Sequence, residues 1–331
     1  MGDPTAEANR GLAVGPFAHD GVWLRCALHC HTTQSDGMLS PAMLRRYYSM
    51  GHFDVLAITD HDQLTPAPDA HSEDDDLLLL PGTEISLRSP ESGGPLHVLG
   101  LGVNAMPRVP ERATLLETAA AVQAEGGLAF VAHPWWTGLR SDELGDLAGV
   151  TGIEVYNAGC EVEQGRGDSA QYWDTLLSQG LPMLAIATDD HHYPGFDAFQ
   201  GWTMVRAATR TPEAVLAALA AGHAYSSNGP DIHGIWIEAD RIRVASSPAV
   251  AISLLGAPPR GVRVNAGPHG LKQPGDVPRG ADGRRNGAYP GNLLTEATFP
   301  LLTGSPYLRV EVLDAHGRKA WSNPIWLPAR G

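Results

Sequence analysis

Two histidines, His29 and His31, flank a single cysteine, and Ser35-Asp36-Gly37 follows four residues later. On an extended segment side chains alternate faces with a period of two, so residues i and i+2 point the same way. Both imidazoles can then reach one ion. Cys30, between them, points away and reads as a small apolar residue, not a reacting thiol. The apolar run 24–28 supplies a buried strand that ends where the histidines begin. Alone, His-x-His is a weak signal, since paired histidines are common on surfaces and in cores. It becomes metal chemistry only if further ligands recur at the ends of later strands.

They recur. The strand-like run Asp54-Val55-Leu56-Ala57-Ile58-Thr59 leads into Asp60-His61-Asp62, and residues 77–80 lead to Gly82-Thr83-Glu84. Leu96-His97-Val98-Leu99-Gly100 carries a histidine within it, and residues 128–132 end at His133-Pro134. Gly152-Ile153-Glu154-Val155-Tyr156 ends at Asn157, and residues 183–188 end at Asp189-Asp190-His191-His192. Any one of these could be a buried histidine bonded to a carbonyl or a carboxylate capping the next helix. Repetition at strand end after strand end disfavours that reading.

The elements that must position these side chains alternate. Helical patterns fill 41–50, 113–125 and 168–179, and another opens at Thr211-Pro212-Glu213 and ends near Gly222. Ser40 with Pro41 reads as an N-cap followed by proline in the first turn, and Gly51, Gly126 and Gly180 read as stops. Strand and helix in alternation predict parallel strands with right-handed crossovers. In a closed α/β barrel the C-terminal strand ends share one mouth, where the ligands would converge.

The chain has 331 residues, 43% of them hydrophobic, enough for one barrel and a smaller module. Thirty-seven acidic against 23 basic residues give a net charge of −14, which argues against a nucleic-acid polymer as partner and for a small-molecule substrate. Glu73-Asp74-Asp75-Asp76 reads as a solvated loop. Three cysteines, Cys26, Cys30 and Cys160, make no disulfide framework and fit a reducing, cytoplasmic setting. Neither a secretory leader nor an apolar run long enough to span a bilayer is expected. Residues 1–22 read as an N-terminal extension, 23–229 as the barrel and 230–331 as a β-rich domain. Within that domain a Gly/Pro-rich stretch at about 256–292 holds Arg260, Arg263, Lys272, Arg279, Arg284 and Arg285. That stretch reads as a surface loop, with a basic lid over an anionic substrate as the alternative.

The order His-x-His, Asp-Gly, Thr-Asp-His-Asp, Glu, His, His-Pro, Asp-x-His resembles the PHP (polymerase and histidinol phosphatase) metallohydrolases over roughly residues 23–228. The segments Ala224-Tyr225-Ser226-Ser227-Asn228-Gly229-Pro230 and Ala320-Trp321-Ser322-Asn323-Pro324-Ile325-Trp326 are similar to a subgroup grouped with carbaryl hydrolase, the CehA/McbA-like enzymes. The resemblance implies a distorted seven-stranded (β/α) TIM-like barrel and a centre of two or three divalent ions, Mn, Fe or Zn, which suits imidazole and carboxylate ligands. It implies a first metal held by His29, His31, Glu84 and the Asp of Asp-x-His. Glu84 would bridge to a second metal with His97 and His133. Asp36, His61 and the last His of Asp-x-His would hold the third. Asp60 would orient a ligand. Asp-x-His occurs twice, as Asp189/His191 and Asp190/His192. Relatives favour Asp190 and His192, leaving Asp189 or His191 to face the pocket wall as proton donor.

The expected activity is hydrolysis of a small phosphomonoester or phosphodiester by a hydroxide bridging the metals. The phosphate-binding arginine that several relatives carry after the His-Pro is replaced here by Trp135-Trp136. Trp135, Trp136 and Asn157 read as substrate-binding, with Arg140 a substitute cation. An aromatic wall keeps open a second reading, hydrolysis of a non-phosphate ester, amide or carbamate. The third is a non-catalytic metal-binding module.

Overall fold

In this computed structural model the described residues are 12–266 and 293–327, except 71, 73–74, 90–92, 111, 140–146 and 148. They divide into two compact units, Asp20–Asn228 and Gly229–Gly331 joined by Met1–His19. The short strand β1 (Leu12–Ala13) falls with the second unit.

In the first unit, β2 (Val22–Ala27), β3 (Val55–Ile58) and β4 (Leu78–Arg88) run parallel. β5 (Pro95–Leu101) is antiparallel both to β4 and to β6 (Leu128–Val131). β6, β7 (Gly152–Asn157) and β8 (Leu184–Thr188) are again parallel. On the other flank of β2, β9 (Trp202–Ala207) and then β10 (Ala224–Ser227) add antiparallel. The uniformly parallel sheet expected from the alternation is therefore interrupted at β5. Residues 89–94 alone join β4 to β5, too few for the crossover of a dozen or more residues that a parallel neighbour requires. Side-chain hydrogen bonds then draw the flanks together. Thr203 Oγ1 bridges the Ala187 N–H and carbonyl at 3.0 Å each, and Ser226 Oγ donates to the Ala185 carbonyl at 3.2 Å. The result is a distorted α/β barrel.

Helices start where the sequence places caps. Ser40 Oγ accepts from the Met43 N–H ahead of the helix Pro41–Met50, and Thr114 with Glu117 forms a reciprocal capping box at the helix Leu115–Ala124. Helices Ala170–Ser178 and Pro212–Ala220 follow the same boundaries to within two residues of the expected ends. Leu24, Cys26, Leu28, Val55, Leu99, Phe130 and Ile186 share one buried cluster. Cys30 packs in another with Leu44, Tyr48 and Leu56, so the residue between the two histidines does point into apolar packing. Burying each large side chain of this kind contributes about 1.5–3 kcal/mol, and it holds the strand ends in place.

The second unit is built from antiparallel strands. β11 (Ile232–Glu238) pairs with β1 and with β12 (Arg241–Ala249), and β12 pairs with β15 (Leu294–Pro300). β13 (Ala251–Gly256) lies between β14 (Gly261–Asn265) and β16 (Tyr307–Leu313), which also pairs with β17 (Lys319–Ser322) and β18 (Ile325–Trp326). The start of the expected Gly/Pro-rich loop is thus a strand, β14, containing Arg263. Residues 267–292, with Lys272, Arg279, Arg284 and Arg285, lie outside the described residues, as does Arg140. Among the described residues no helix is long and apolar enough to cross a membrane.

Candidate metal centre

His29 and His31 leave the end of β2 fully buried, with their Nε2 atoms 3.0 Å apart. Glu84, at the middle of β4, reaches both: its Oε2 is 3.1 Å from His29 Nε2 and 3.0 Å from His31 Nε2. Asp190 Oδ1 closes the group at 3.1 and 3.2 Å from the same two nitrogens. That oxygen is buried yet accepts no hydrogen bond. The spacing matches the edges of a coordination polyhedron with ligand bonds of about 2 Å. Two carboxylates and two imidazoles facing inward this closely need positive charge among them. The donor set therefore fits a divalent ion.

Two further groups adjoin. His31, Asp36, His61 and His192 converge, with Asp36 carboxylate oxygens 3.4 Å from His31 Nδ1, 3.6 Å from His61 Nε2 and 3.4 Å from His192 Nε2. His61, Glu84 and His97 form the other, and Glu84 Oε1 is 2.9 Å from His97 Nδ1 and 3.2 Å from His133 Nε2. Glu84 thus turns one oxygen toward His29 and His31 and the other toward His97 and His133. All nine residues of the implied ligand set, His29, His31, Asp36, His61, Glu84, His97, His133, Asp190 and His192, come together here.

The local chain is shaped for this. Gly37 is obligatory: a Cβ there would lie 2.4 Å from the His31 carbonyl oxygen, so only glycine lets the 32–37 loop fold back and present Asp36. His133 and Asp190 hold positive φ, 31° and 52°, a conformation that costs non-glycine residues free energy and that clusters at functional sites. Asp60 accepts from the Thr32 N–H and Oγ1 at 2.7 Å each, from Ser35 Oγ at 2.6 Å and from Thr65 Oγ1. Ser35 Oγ lies 3.3 Å from His31 Nδ1, so Asp60 orients His31 through a serine.

Electrostatics follow from the crowding. Burial alone would lower the pKa of His29, but the Asp190, Glu84 and Glu154 carboxylates override it and hold the imidazole well above its ordinary value. His31 and His97 are raised in the same way, burial being outweighed by Glu84 and, for His31, Asp190. His192 is pushed up to about 9, its burial outweighed by Asp36 and Asp190. Glu84 stays well below the carboxylate range, its burial overcome by His29 and His97. Protons therefore occupy nitrogens that a metal needs free. Metal uptake should release protons, and apparent affinity should climb with pH through the range in which these imidazoles deprotonate, His192 at about 9. Calorimetric titration of Mn²⁺ in buffers of different ionisation enthalpy reads the proton release directly.

The assumed proton donors do not line the pocket. Asp189 turns inward: Tyr48 Oη and the Phe199 N–H donate to its Oδ2 at 2.7 Å each, and the Gln200 and Gly201 N–H groups to its Oδ1 at 2.8 Å each. Burial pushes its carboxyl up to about 6. His191 is buried with Nδ1 2.5 Å from Asp197 Oδ1. Both are corrections to the expected role, with one cause: positive φ at Asp190 turns the chain, so Asp189 and His191 hold the loop 197–201 while their neighbours face the cluster. Of the expected substrate contacts, Trp136 lines the pocket, its ring 4.8 Å from that of His133. Trp135 does not line it: it is 41% exposed, under Arg166 at 5.5 Å. Asn157 is buried, donating to Asp190 Oδ2 at 3.1 Å and accepting from the Cys160 N–H. It supports a cluster residue and touches no open space.

One residue of the site has no role in the sequence reading. Glu154, buried on β7, is 2.7 Å from His29 Nδ1, while Thr188 Oγ1 donates to the same oxygen at 2.7 Å. Its other oxygen accepts from the His133 N–H at 2.7 Å and Asn157 Nδ2 at 2.8 Å. A carboxylate midway along an otherwise apolar strand was the available signal. Gly159, Cys160, Glu163 and Tyr193 complete the wall. Burial pushes the Cys160 thiol far up, so it is a neutral surface and not a nucleophile.

No family model matches the chain. A solved two-domain protein from Bacteroides vulgatus, described as containing a predicted PHP-like metal-dependent phosphoesterase, aligns with a TM-score of 0.50 at 16% identity, over 89% of this chain and 91% of that one. This chain has a PHP-like fold. By sequence, the PHP-like chain is 29% identical over 157 residues to a 5'-3' exoribonuclease of Haemophilus influenzae, 46% of this chain and 50% of the relative. It is 38% identical over 81 residues to the 5'-3' exoribonuclease Rnm of Salmonella typhimurium, 23% and 27% respectively. The chain spans half the length of the first relative and about a quarter of the second.

Proposed function

We propose that the PHP-like chain is a metal-dependent phosphoesterase that hydrolyses a small phosphomonoester or phosphodiester. The observation that carries this reading is the convergence of His29, His31, Glu84 and Asp190 around one point, with Asp36, His61, His97, His133 and His192 beside it. The nine act as ligands of two or three ions, with Mn, Fe and Zn all compatible with the donors. Divalent ions held there would lower the pKa of a bound water and offset charge developing on a phosphoryl group. The chain's own part is positional. Glu154 fixes the His29 ring with Nε2 toward the cluster, Asp60 fixes His31 through Ser35, and Asn157 fixes Asp190. Trp136 and Tyr193 present aromatic surface to the leaving group. Three buried, unpaired cysteines suit a cytoplasmic setting.

A second reading, hydrolysis of a carbamate or carboxylic ester, is favoured by one observation. Among the described residues the pocket wall contains neither lysine nor arginine. The exoribonuclease names of the relatives add a 5'-phosphorylated RNA end to the substrates worth offering. The Mn-loaded protein should cleave p-nitrophenyl phosphate, bis-p-nitrophenyl phosphate or a 5'-phosphorylated oligoribonucleotide, and EDTA should abolish that activity. Cleavage of 1-naphthyl N-methylcarbamate with no phosphate ester turned over would favour the second reading. Binding of metal with no turnover of any substrate would favour a non-catalytic module.

A further inference from the structure

The pocket wall holds four carboxylates: Asp36, Glu84, Asp190 and Glu163. Three are committed. Asp36, Glu84 and Asp190 each contact at least two imidazoles of the cluster, and ions held there would neutralise them further. Glu163 differs. It sits in the last turn of the helix Ala158–Gln164, and that helix turns Gly159, Cys160 and Glu163 toward the pocket, the spacing of one helical face. It is exposed and makes no hydrogen bond or ion pair among the described residues. Its charge is felt at the wall, where it helps to raise the Cys160 thiol. Arg166, three residues on, lies over Trp135 and is not part of the wall.

Resting on the phosphoesterase reading of this site, we infer that Glu163 is a charge-selecting residue, which disfavours dianionic phosphate monoesters and leaves monoanionic phosphodiesters as the preferred substrates. An unneutralised carboxylate beside the entering group repels a second negative charge, with neither lysine nor arginine in the described wall to offset it. A diester carries one charge at neutral pH and a monoester two, so the monoester meets about twice the repulsion. Each unit of substrate charge, in the partly solvated dielectric of a pocket mouth, changes binding by about five- to tenfold.

The test compares bis-p-nitrophenyl phosphate with p-nitrophenyl phosphate at pH 8, in wild type, Glu163→Gln and Glu163→Asp, all Mn-loaded. Wild type should favour the diester. Glu163→Gln should raise kcat/KM for the monoester about five- to tenfold more than for the diester, through KM. The gain should shrink at high salt. Glu163→Asp, which keeps the charge, should keep the wild-type ratio. Calorimetric binding of inorganic phosphate against diethyl phosphate reads the same preference without turnover. There Glu163→Gln should tighten phosphate about five- to tenfold more than it tightens diethyl phosphate. A monoester-to-diester ratio and a phosphate affinity that Glu163→Gln leaves unchanged would overturn the role of Glu163. So would equal losses on both esters. If wild type turns over neither ester, the phosphoesterase reading fails, and the calorimetric arm still decides the charge preference.

Discussion

Glu84→Ala removes metal uptake and lowers kcat by at least about a thousandfold, because one side chain serves both halves of the cluster. Its Oε2 stands 3.0–3.1 Å from the His31 and His29 Nε2 atoms, and its Oε1 stands 2.9–3.2 Å from His97 Nδ1 and His133 Nε2. No neighbouring carboxylate can replace it: Asp190 contacts His29, His31 and His192, Asp36 contacts His31, His61 and His192, and among the described residues neither pairs with His97 or His133. The substitution also frees the imidazoles of their counter-charge, so His97, which Glu84 holds above its ordinary pKa, should fall back toward or below it. Metal content by plasma emission and turnover of bis-p-nitrophenyl phosphate should fall together while far-UV circular dichroism stays unchanged. Retained turnover in Glu84→Ala would separate the catalysis from this cluster.

Glu154→Gln carries the second large effect, and it acts without touching an ion. The two oxygens of Glu154 each receive two donors: His29 Nδ1 and Thr188 on one, the His133 N–H and Asn157 on the other. A glutamine must turn its own N–H₂ toward one of these pairs, whichever way the amide is flipped. A buried donor then faces two donors, which costs about 2–4 kcal/mol of stability. With the N–H₂ turned toward His29, that ring loses the acceptor that keeps its proton on Nδ1, and with the amide flipped it keeps only a neutral oxygen in place of a carboxylate. Metal affinity should fall about 10–100-fold, the usual effect of losing such a supporting partner. Thermal melting with and without Mn²⁺ reads both: a lower Tm in the metal-free variant, and a smaller upward shift on adding metal than in wild type.

Much of this site is visible in the chain because metal ligands sit where strands end. His29 and His31 share a face through the period-two rule, and each later strand announces itself by an apolar run followed by His, Asp or Glu. What escapes is whatever depends on strand direction or on backbone turns between neighbours. Nothing in 95–101 marks β5 as antiparallel except the short connection 89–94, yet that reversal is why His97 acts from within a strand and not from its end. The pair Asp189-Asp190 cannot be sorted by type, since both are aspartates at the same strand end. The positive φ at Asp190 sorts them, sending Asp189 to Tyr48 and the 199–201 amides. Glu154 is hidden for the opposite reason. It lies inside β7, where it reads as an irregularity in a buried strand, and its role shows only when His29, His133 and Thr188 arrive from other segments and Asn157 turns back from the end of the same strand. Glu163 is one of two glutamates on the helix Ala158–Gln164, and only the pocket singles it out.

Anomalous scattering from crystals soaked in Mn²⁺ shows whether these side chains hold divalent ions. A peak is expected, ringed by His29 Nε2, His31 Nε2, Glu84 Oε2 and Asp190 Oδ1, with at least one more beside Glu84 toward His97 and His133 or beside Asp36 toward His61 and His192. A map with no peak within about 3 Å of those four atoms, at Mn²⁺ concentrations that support turnover, would contradict it.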